Sequence, residues 1–276
     1  GGNGPPAAGA PTAATDGTAA PSAATAPGDA TPAAAATAAT AGADDASGLA
    51  KGPTPTTDPT VVALVEGFEP PAIGADDALI TIYEFSDFLC PYCRQFSEET
   101  YQQVKAAYVD TGRARLVFWH LPLKNHGWPA VVGAEASLCA GDQGRFWEMH
   151  DRLFASWKAL SELPVEDEAK AREAMFGIAD DLAADASLDV DAFRACLEAT
   201  KYRPVVSVLT RQALEDLKIN ATPSFLIQAG EHFELVAGFL PFEDMRKVLD
   251  REISRAQGTP IPTDTATPPA TGTAAP

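Results

Sequence analysis

Cys90-Pro91-Tyr92-Cys93 is a C-x-x-C motif that directly follows an apolar run, residues 79–85, and precedes a segment with helical spacing of apolar residues. Two thiols three residues apart, where a strand turns into a helix, lie close enough to form a disulfide. Cys90 is expected at the helix start, where free N–H groups and the helix dipole stabilise a thiolate. Pro91 suits the first helical position because its fixed φ fits the helix. The stretch therefore predicts a cysteine active in thiol–disulfide exchange.

A C-x-x-C motif alone also resembles half of a zinc site, so a second feature is needed. Far downstream, residues 221–227 place Pro223 at the mouth of a short apolar strand. A cis Thr222-Pro223 bond at that point is one interpretation, and an ordinary trans proline opening an edge strand is the other. The strand, the motif and the helix occur together as the redox interpretation requires, which favours it over zinc.

Residues 84–93 have the sequence EFSDFLCPYC and are followed by a helix, a strand at 115–119, a helical stretch and then Thr222-Pro223. This order resembles the DsbA-like branch of the thioredoxin superfamily, whose members are extracytoplasmic thiol–disulfide oxidoreductases. Residues 134–137 and 144–150 resemble the Gram-positive, BdbD-type members most. The resemblance covers roughly residues 60–256. It implies an α/β thioredoxin fold, a mixed central sheet flanked by helices, with an all-helical insertion.

Composition divides the 276 residues into one domain and two low-complexity ends. Residues 1–58 and 257–276 are almost entirely Ala, Thr, Pro, Gly and Ser, so we expect both ends to be disordered, the first as a tether. Residues 59–256 are expected to form a single DsbA-like domain. Its parts are two thioredoxin halves, about 59–122 and 204–256, and a helical insertion at about 123–203 that would form a lid beside the active site.

Apolar periodicity and breaker residues predict the individual elements. A short strand or arm is expected at 59–68, a break at Pro70-Pro71 and a turn at 74–77. The strands are predicted at 79–86, 113–121, 224–228 and 232–236. The helices are predicted from Cys90 to Thr111-Gly112, at 129–140, 143–157 and 166–186, after a cap at Asp189 or Asp191, at 204–217 and over 242–253.

Glu84 is a carboxylate inside an otherwise apolar run, six residues before Cys90. A buried carboxylate titrates with a raised pKa unless it is paired. The DsbA-like resemblance implies that an acid at this position lies beneath the active-site disulfide and assists proton transfer. The alternative is a carboxylate that reaches solvent or a lysine at the sheet edge.

The remaining cysteines, Cys139 and Cys196, both lie in the insertion. If Cys90 pairs with Cys93, the remaining bridge joins Cys139 to Cys196 and ties two helices of the lid together. Buried free thiols, a second redox pair and a four-cysteine zinc site are the alternatives. An even number of cysteines and a structural bridge both point to an oxidising compartment.

The charge and hydropathy of the chain exclude some partners. A net charge of −18 argues against nucleic acid, which favours basic patches. No run of 18 apolar residues occurs, so no transmembrane segment is expected. The first residue is Gly1 rather than Met, which suggests removal of a signal peptide, a lipid-bearing cysteine or an added segment. We therefore expect an extracytoplasmic protein, in the periplasm or at the outer face of the membrane, with the N-terminal tether as an anchor.

The histidines give no metal signal. His120, His126, His150 and His232 are scattered, and each is interpreted as a surface or core side chain. The aromatic residues of the insertion, such as Trp147, Phe154 and Trp157, are interpreted as core. We expect no metal and no cofactor beyond the redox-active Cys90–Cys93 disulfide.

The resemblance implies a protein disulfide oxidoreductase that oxidises thiols of unfolded or partly folded exported proteins. Cys90 would be attacked, Cys93 would be the buried partner, and Pro91, Tyr92, Thr222 and Pro223 would support the site. A membrane thiol oxidant, DsbB- or VKOR-like, would renew the disulfide. Tyr92 stands where the best-known DsbA has His, so Cys90 is expected to be less acidic. The alternatives are a reductase or isomerase, and a chaperone-like peptide-binding module with a structural C-x-x-C.

Overall fold

The computed structural model describes Gly1 and residues 67–259, in which helices pack on both faces of a five-stranded mixed sheet. The strands lie in the order β1-β3-β2-β4-β5, with β2 and β3 parallel and the other neighbours antiparallel. This sheet confirms the predicted fold class. The strands are β1 (Ala72–Ile73), β2 (Ile80–Ser86), β3 (Ala114–His120), β4 (Ser224–Ala229) and β5 (His232–Ala237).

Strand β2 occupies the centre of the sheet because both of its faces are apolar. Ile80 and Ile82 are buried on one face and Phe85 on the other. Glu84 lies opposite Phe118 of β3 and Phe225 of β4. The carboxyl group is thereby fixed in the middle of the sheet, on the face that also carries Ile80 and Ile82.

Helix α1, residues 91–109, is separated from the end of β2 by four residues. Its α-helical turns Pro91–Gln95 and Gln102–Val104 alternate with π-helical turns Phe96–Tyr101 and Lys105–Val109. Cys90 is the N-cap residue, with an extended backbone, and Pro91 opens the first turn as predicted.

Five helices form the insertion, after a 3₁₀ turn at Lys124–His126. They form one apolar cluster with Phe88 and Leu89, which precede the motif, and with Phe118 of β3. The predicted lid therefore packs directly on the chain that leads into the C-x-x-C. The helices are α2 (Gly127–Gly141), α3 (Phe146–Ala155), α4 (Trp157–Ser161), α5 (Glu168–Ala186) and α6 (Val190–Glu198).

The last two helices return to the sheet, one on each face. Helix α7, residues 203–216, is α-helical over Arg203–Arg211 and ends in a π-helical turn, Gln212–Asp216. Its Ala213 packs on the face of the sheet that carries Phe85. Helix α8, Phe242–Ala256, packs Met245, Leu249 and Ile253 on the opposite face.

The single helix predicted at 143–157 is wrong, because Gln143 does not belong to it. The Gln143 amide donates to the carbonyl oxygen of Asp189 (3.1 Å) and accepts from its N–H (2.8 Å). Gly144 has φ 70°, a left-handed conformation that ends the turn after α2. Helix α3 therefore starts at Phe146, and the chain breaks again before α4 at Trp157.

Strand β1 was not predicted, since two residues are too few to show a periodicity. Ala72 and Ile73 pair with Val117 and Leu116 of β3, directly after the predicted break at Pro70-Pro71. The expected arm at 59–68 lies outside the described residues except for its last two positions. The low-complexity ends also lie outside them, apart from Gly1 and residues 257–259.

Within residues 67–259, no helix combines the length and the apolar character needed to cross a bilayer. The cysteines of the insertion form a disulfide between α2 and α6, with the Cα atoms of Cys139 and Cys196 5.8 Å apart. This confirms the predicted bridge and excludes the alternatives in which these sulfurs are free thiols or zinc ligands.

We expect the double variant Cys139→Ala/Cys196→Ala to unfold more easily. The bridge closes a segment of 57 residues, and loop-closure entropy for such a span corresponds to a loss of about 4 kcal/mol in the free energy of unfolding. Urea unfolding of both proteins, with Cys90–Cys93 oxidised in each, measures the difference. A loss below about 1 kcal/mol would contradict a stabilising role for this bridge.

Candidate active site

Two free thiols lie at the junction of β2 and α1. Cys90 caps α1 with 4% of its surface exposed, and Cys93 lies in the first turn with none exposed. The Cys90 N–H donates to the carbonyl oxygen of Asp87 (3.0 Å), and its carbonyl oxygen accepts from Arg94 (3.1 Å). Cys90 is therefore the more accessible sulfur and Cys93 the enclosed one, as the sequence predicts.

The Thr222-Pro223 corner lies against Cys90, although it is far away in sequence. The Cys90 thiol donates to the carbonyl oxygen of Thr222 at 3.3 Å. The Thr222-Pro223 peptide bond is cis, and the carbonyl oxygen of Pro223 accepts from the Gly238 N–H at 2.8 Å. The fold thus brings together both cysteines and both residues of the predicted Thr-Pro pair.

The two thiols have opposite electrostatic settings. The hydrogen bond donated by the Cys93 thiol, helped by Thr222 and by the Cys93 N–H, lowers the pKa of Cys90 to about 6 despite burial. Burial, together with the hydrogen bond to Cys90 and its negative charge, raises the pKa of Cys93 well above its usual value. At neutral pH, Cys90 is a thiolate and Cys93 is a thiol that stabilises it.

Glu84, in the strand that leads to the motif, is buried with 1% of its surface exposed. Its Oε2 atom has no hydrogen-bond partner. Burial raises the pKa of Glu84 to about 7, and the nearby Ser86 hydroxyl limits the rise. The carboxyl group therefore gains or loses a proton around neutral pH, which is the property of a general acid or base. The alternative, a carboxylate paired with solvent or lysine, is excluded by this burial.

The pattern of the sequence does not reveal the role of Asp87, three residues before Cys90. Its Oδ1 accepts from the Leu89 N–H (2.7 Å), and its Oδ2 accepts from the Leu123 N–H (2.7 Å) and from Nδ1 of His126 (2.7 Å). An Asp side chain that accepts from the N–H two residues later is common in turns, so the bond from Leu89 is predictable from the sequence. The bonds from Leu123 and His126 are not predictable, since they join distant parts of the chain.

His126 is a partner of Asp87, in addition to being a partly exposed side chain. Burial disfavours its charged form, but the hydrogen bond and negative charge of Asp87 outweigh it and raise the pKa of His126. Asp87 and His126 thus tie the loop after β3 to the segment that carries Cys90. His120 differs, because burial, with the neighbouring His150, lowers its pKa to about 3 and keeps it neutral.

The outer rim of the site is formed by exposed and aromatic side chains. Tyr92 has 60% of its surface exposed. Trp157, predicted as core, is only partly buried; its indole N–H donates to the carbonyl oxygen of Leu89 at 2.8 Å, and the Arg94 guanidinium lies 5.1 Å from its ring centroid. Helix α4 of the insertion is therefore held at the edge of the dithiol.

Only one group of potential metal ligands occurs among residues 67–259, and it is formed by His232 and Glu234 of β5 with Glu252 of α8. The two carboxylates are already neutralised by arginine. Arg251 pairs with both, and Arg255 pairs with Glu252 at 3.1 Å. This cluster therefore has no unbalanced negative charge that calls for a cation.

Comparison with known proteins places this geometry in context. The profile of the family described as Thioredoxin matches residues 68–251. A probable disulfide bond formation protein D of Bacillus anthracis is 24% identical over 184 residues, 67% of this chain and 78% of the relative. The crystal structure of Wolbachia pipientis alpha-DsbA1 is 22% identical, has a TM-score of 0.59 and is matched over 72% of this chain and 98% of its own.

A different relative is much longer than this chain. The Na(+)/H(+) antiporter NhaA 1 of Salinispora arenicola is 36% identical over 160 residues, which are 58% of this chain but 22% of the antiporter. This chain thus resembles one segment of that protein. Together the matches confirm the DsbA-like resemblance and the thioredoxin fold with a helical insertion.

Replacement of Glu84 by Gln is expected to stabilise the reduced protein at high pH. The folded pKa of about 7 lies above the ordinary 4.5, so the folded state retains a proton that the unfolded state releases, and stability falls as pH rises from 4.5 to 7. Glu84→Gln removes this loss, which is about 3 kcal/mol at pH 8, and its advantage vanishes near pH 4.5. Urea unfolding across this range tests it, with Glu173→Gln as an exposed control. An equal gain at both ends would contradict the raised pKa.

The Cys90 thiolate is expected to titrate with a pKa of about 6 in the reduced protein. Ultraviolet absorbance of the thiolate, followed against pH, measures it. In Cys93→Ala the thiolate loses its main hydrogen-bond donor, so the pKa of Cys90 is expected to rise towards that of a free cysteine. If the titration of Cys90 is the same in both proteins, the Cys93 thiol is not the cause of the low pKa.

Proposed function

This chain belongs to the thioredoxin family, and we propose that it is an extracytoplasmic thiol–disulfide oxidoreductase that oxidises thiols of exported proteins through a Cys90–Cys93 disulfide. One observation carries the proposal. Cys90, with a pKa of about 6, lies against the cis Thr222-Pro223 corner, and its neighbour Cys93 is buried with a raised pKa. This is the asymmetry that exchange between two sulfurs requires, one ready to leave and one shielded.

The proposed reaction transfers two electrons from the substrate to the enzyme. A substrate thiolate attacks Sγ of Cys90 in the oxidised protein, the Cys90–Cys93 bond breaks, and Cys93 leaves as a thiolate that takes up a proton. A second substrate thiolate then attacks the substrate sulfur of the mixed disulfide, and Cys90 leaves as a thiolate. The substrate is left with a disulfide and the protein with one thiol and one thiolate.

The low pKa of Cys90 supports the second step. A leaving group of low pKa departs faster, and Cys90 is stabilised by the hydrogen bonds it receives. Thr222 is proposed to pair through its backbone with an extended substrate segment, as an added strand. Pro91 and Tyr92 are exposed beside Cys90, so they are proposed to contact the same substrate. No cofactor besides the disulfide takes part.

The direction of exchange follows from how strongly the reduced form is stabilised. A pKa of about 6 for Cys90 lies between about 3.5 for DsbA and about 7 for thioredoxin, whose potentials are about −120 and −270 mV. The relatives named for disulfide bond formation support oxidation. A reductase or isomerase is the alternative. It is favoured by the pKa of Cys90, which is nearer to the value for thioredoxin than to the value for DsbA.

Location and partners belong to the same proposal. We place the protein in the periplasm or at the outer face of the membrane, attached through its N-terminal segment. Its substrates would be unfolded or partly folded exported proteins, and a membrane thiol oxidant of the DsbB or VKOR type would accept its electrons. Nucleic acid is not among its partners, in keeping with the net charge of −18.

We expect Cys90→Ser to abolish oxidation of a reduced dithiol peptide, because the Cys90–Cys93 disulfide that the substrate thiolate attacks cannot form without Cys90. Free thiols of the peptide, counted after acid quenching, measure the reaction. Persistent oxidation by Cys90→Ser would contradict the mechanism, and inactivity of the wild type would favour a peptide-binding module with a structural C-x-x-C.

The reduction potential of the Cys90–Cys93 pair is expected between about −270 mV, the value for thioredoxin, and about −120 mV, the value for DsbA, because the pKa of Cys90 lies between the values for those two proteins. Equilibration with glutathione buffers measures it. A value above about −220 mV supports the oxidase, and a value below it supports the reductase or isomerase.

A further inference from the structure

Several buried polar atoms without a hydrogen-bond partner belong to the strand before the motif and to Thr222. In residues 67–259, four buried side-chain nitrogen or oxygen atoms lack a hydrogen-bond partner, and three of them belong to Glu84, Ser86 and Thr222. A buried polar group without a partner costs free energy, so such groups are rare unless they serve a function. Thr222 touches Cys90 through its carbonyl oxygen. Glu84 and Ser86 lie on β2, which leads into the motif, and neither has been given a role in the exchange reaction.

Ser86 is placed between the acid and the enclosed thiol. It is the last residue of β2, two positions after Glu84, so both side chains point to the same face of the sheet. Its hydroxyl acts on both groups, because it limits the rise that burial causes in the pKa of Glu84 and in the pKa of Cys93. Ser86 has 1% of its surface exposed, and its hydroxyl forms no regular hydrogen bond with either group.

The backbone of Ser86 is fixed while its hydroxyl is not. Its carbonyl oxygen accepts from the Leu121 N–H at 2.9 Å, and the residue pairs with His120 across β3. A serine hydroxyl can donate one proton while it accepts another, and it rotates about a single bond. These are the properties of a group that passes a proton between two fixed neighbours.

The proposed reaction needs such a group. Cys93 has no exposed surface, so it has no direct contact with solvent from which to take a proton when it leaves as a thiolate. Glu84 holds a proton in about half of the molecules near pH 7, because burial raises its pKa to about 7. Glu84, two positions before Ser86 on β2, can thus supply the proton that Cys93 requires.

We propose that Ser86 is a proton relay between Glu84 and Cys93, an inference that rests on the proposed function. As the Cys90–Cys93 bond breaks, the Cys93 thiolate takes the hydroxyl proton of Ser86, and the Ser86 oxygen takes the carboxyl proton of Glu84. The net change is one proton moved from carboxyl to thiol. When the disulfide is reformed, Cys93 returns the proton along the same path to the Glu84 carboxylate.

The other titratable groups that face this path stay neutral or are otherwise engaged. On α1, burial, with the charges of Asp151, Glu84 and Asp110, raises the pKa of Tyr101, so it keeps its proton. On β3, His120 is neutral because its pKa is about 3.

On α3, burial lowers the pKa of His150, although its hydrogen bond with Asp151 opposes this. Asp87 beside Cys90 is occupied by its three hydrogen bonds. Besides Glu84, whose pKa is about 7, the groups around the dithiol that change charge near neutral pH are Cys90, with a pKa of about 6, and His126, whose pKa is raised by Asp87.

An isosteric pair of variants tests the relay. Ser86→Val and Ser86→Thr have the same shape and crowd the site equally, but only Thr keeps a hydroxyl. The pH profile for the oxidation of a reduced dithiol peptide is expected to show an inflection near pH 7 in the wild type and in Ser86→Thr. Ser86→Val is expected to lose the inflection and to react about tenfold or more slowly, as general acid catalysis is lost.

Coupling to Glu84 gives a second criterion. If the two groups act in series, Glu84→Gln/Ser86→Val is no slower than Glu84→Gln alone, whereas independent effects multiply. Multiplying effects, or an inflection near pH 7 that survives in Ser86→Val, would overturn the relay. Ser137→Ala, in helix α2, is the control for loss of a buried hydroxyl and should leave the profile unchanged.

A readout without enzymatic turnover separates this inference from the proposed function. NMR titration of labelled Cys93 in the reduced protein is expected to show coupling to the titration of Glu84 in the wild type and in Ser86→Thr but not in Ser86→Val. If the wild type does not oxidise the peptide but the coupling is present, the proposed function fails and the proton path stands. If the peptide is oxidised and no variant changes the coupling, the relay is wrong and the proposed function stands.

Discussion

The hydrogen bond from the Cys93 thiol to the Cys90 sulfur is the interaction on which the site depends. Cys90 is 4% exposed, and burial alone would raise its pKa rather than lower it. Donors must replace the lost water, and they are the thiol and the N–H of Cys93, in the first turn of α1. The corner that precedes β4 places the Thr222 carbonyl oxygen 3.3 Å from the Cys90 sulfur. The sheet order holds these features together.

The same burial has opposite consequences for neighbouring groups, depending on the partners available. Cys93 keeps its proton and Glu84 keeps its own up to about pH 7, because each is enclosed and has too few donors for its anion. Burial also keeps His120 neutral, but because the charged form of histidine is the protonated one, burial lowers its pKa and removes the proton. Burial of a charge without partners is costly, so the charges near the dithiol are ones that have partners. Asp87 accepts three hydrogen bonds, and the Cys90 thiolate, where exchange takes place, is stabilised by Cys93.

Local patterns predicted most of the fold and part of the site. The strand before the motif and the cap at Cys90 follow from apolar runs and from proline chemistry, which act over a few residues. The enclosed Cys93 and the place of Thr222-Pro223 at the site were expected from the DsbA-like resemblance. The Gln143–Asp189 and Asp87–His126 contacts join residues 46 and 39 positions apart, and no local signal carries them. Burial of Glu84 was expected from its apolar neighbours, but its missing partner depends on β3 and β4 packing against it.

The side chain at position 92 does not set the pKa of Cys90, but it can contact a partner that approaches Cys90. In a C-x-x-C protein the side chain before the second cysteine can supply positive charge to the first, yet Tyr92 cannot and is 60% exposed. The pKa of Cys90 still falls to about 6, because its donors are the thiol and the N–H of Cys93. Neither donor is the side chain at 92, so the acidity of Cys90 does not depend on that side chain. That side chain lies on the surface beside Cys90, where it can contact whichever partner approaches the sulfur.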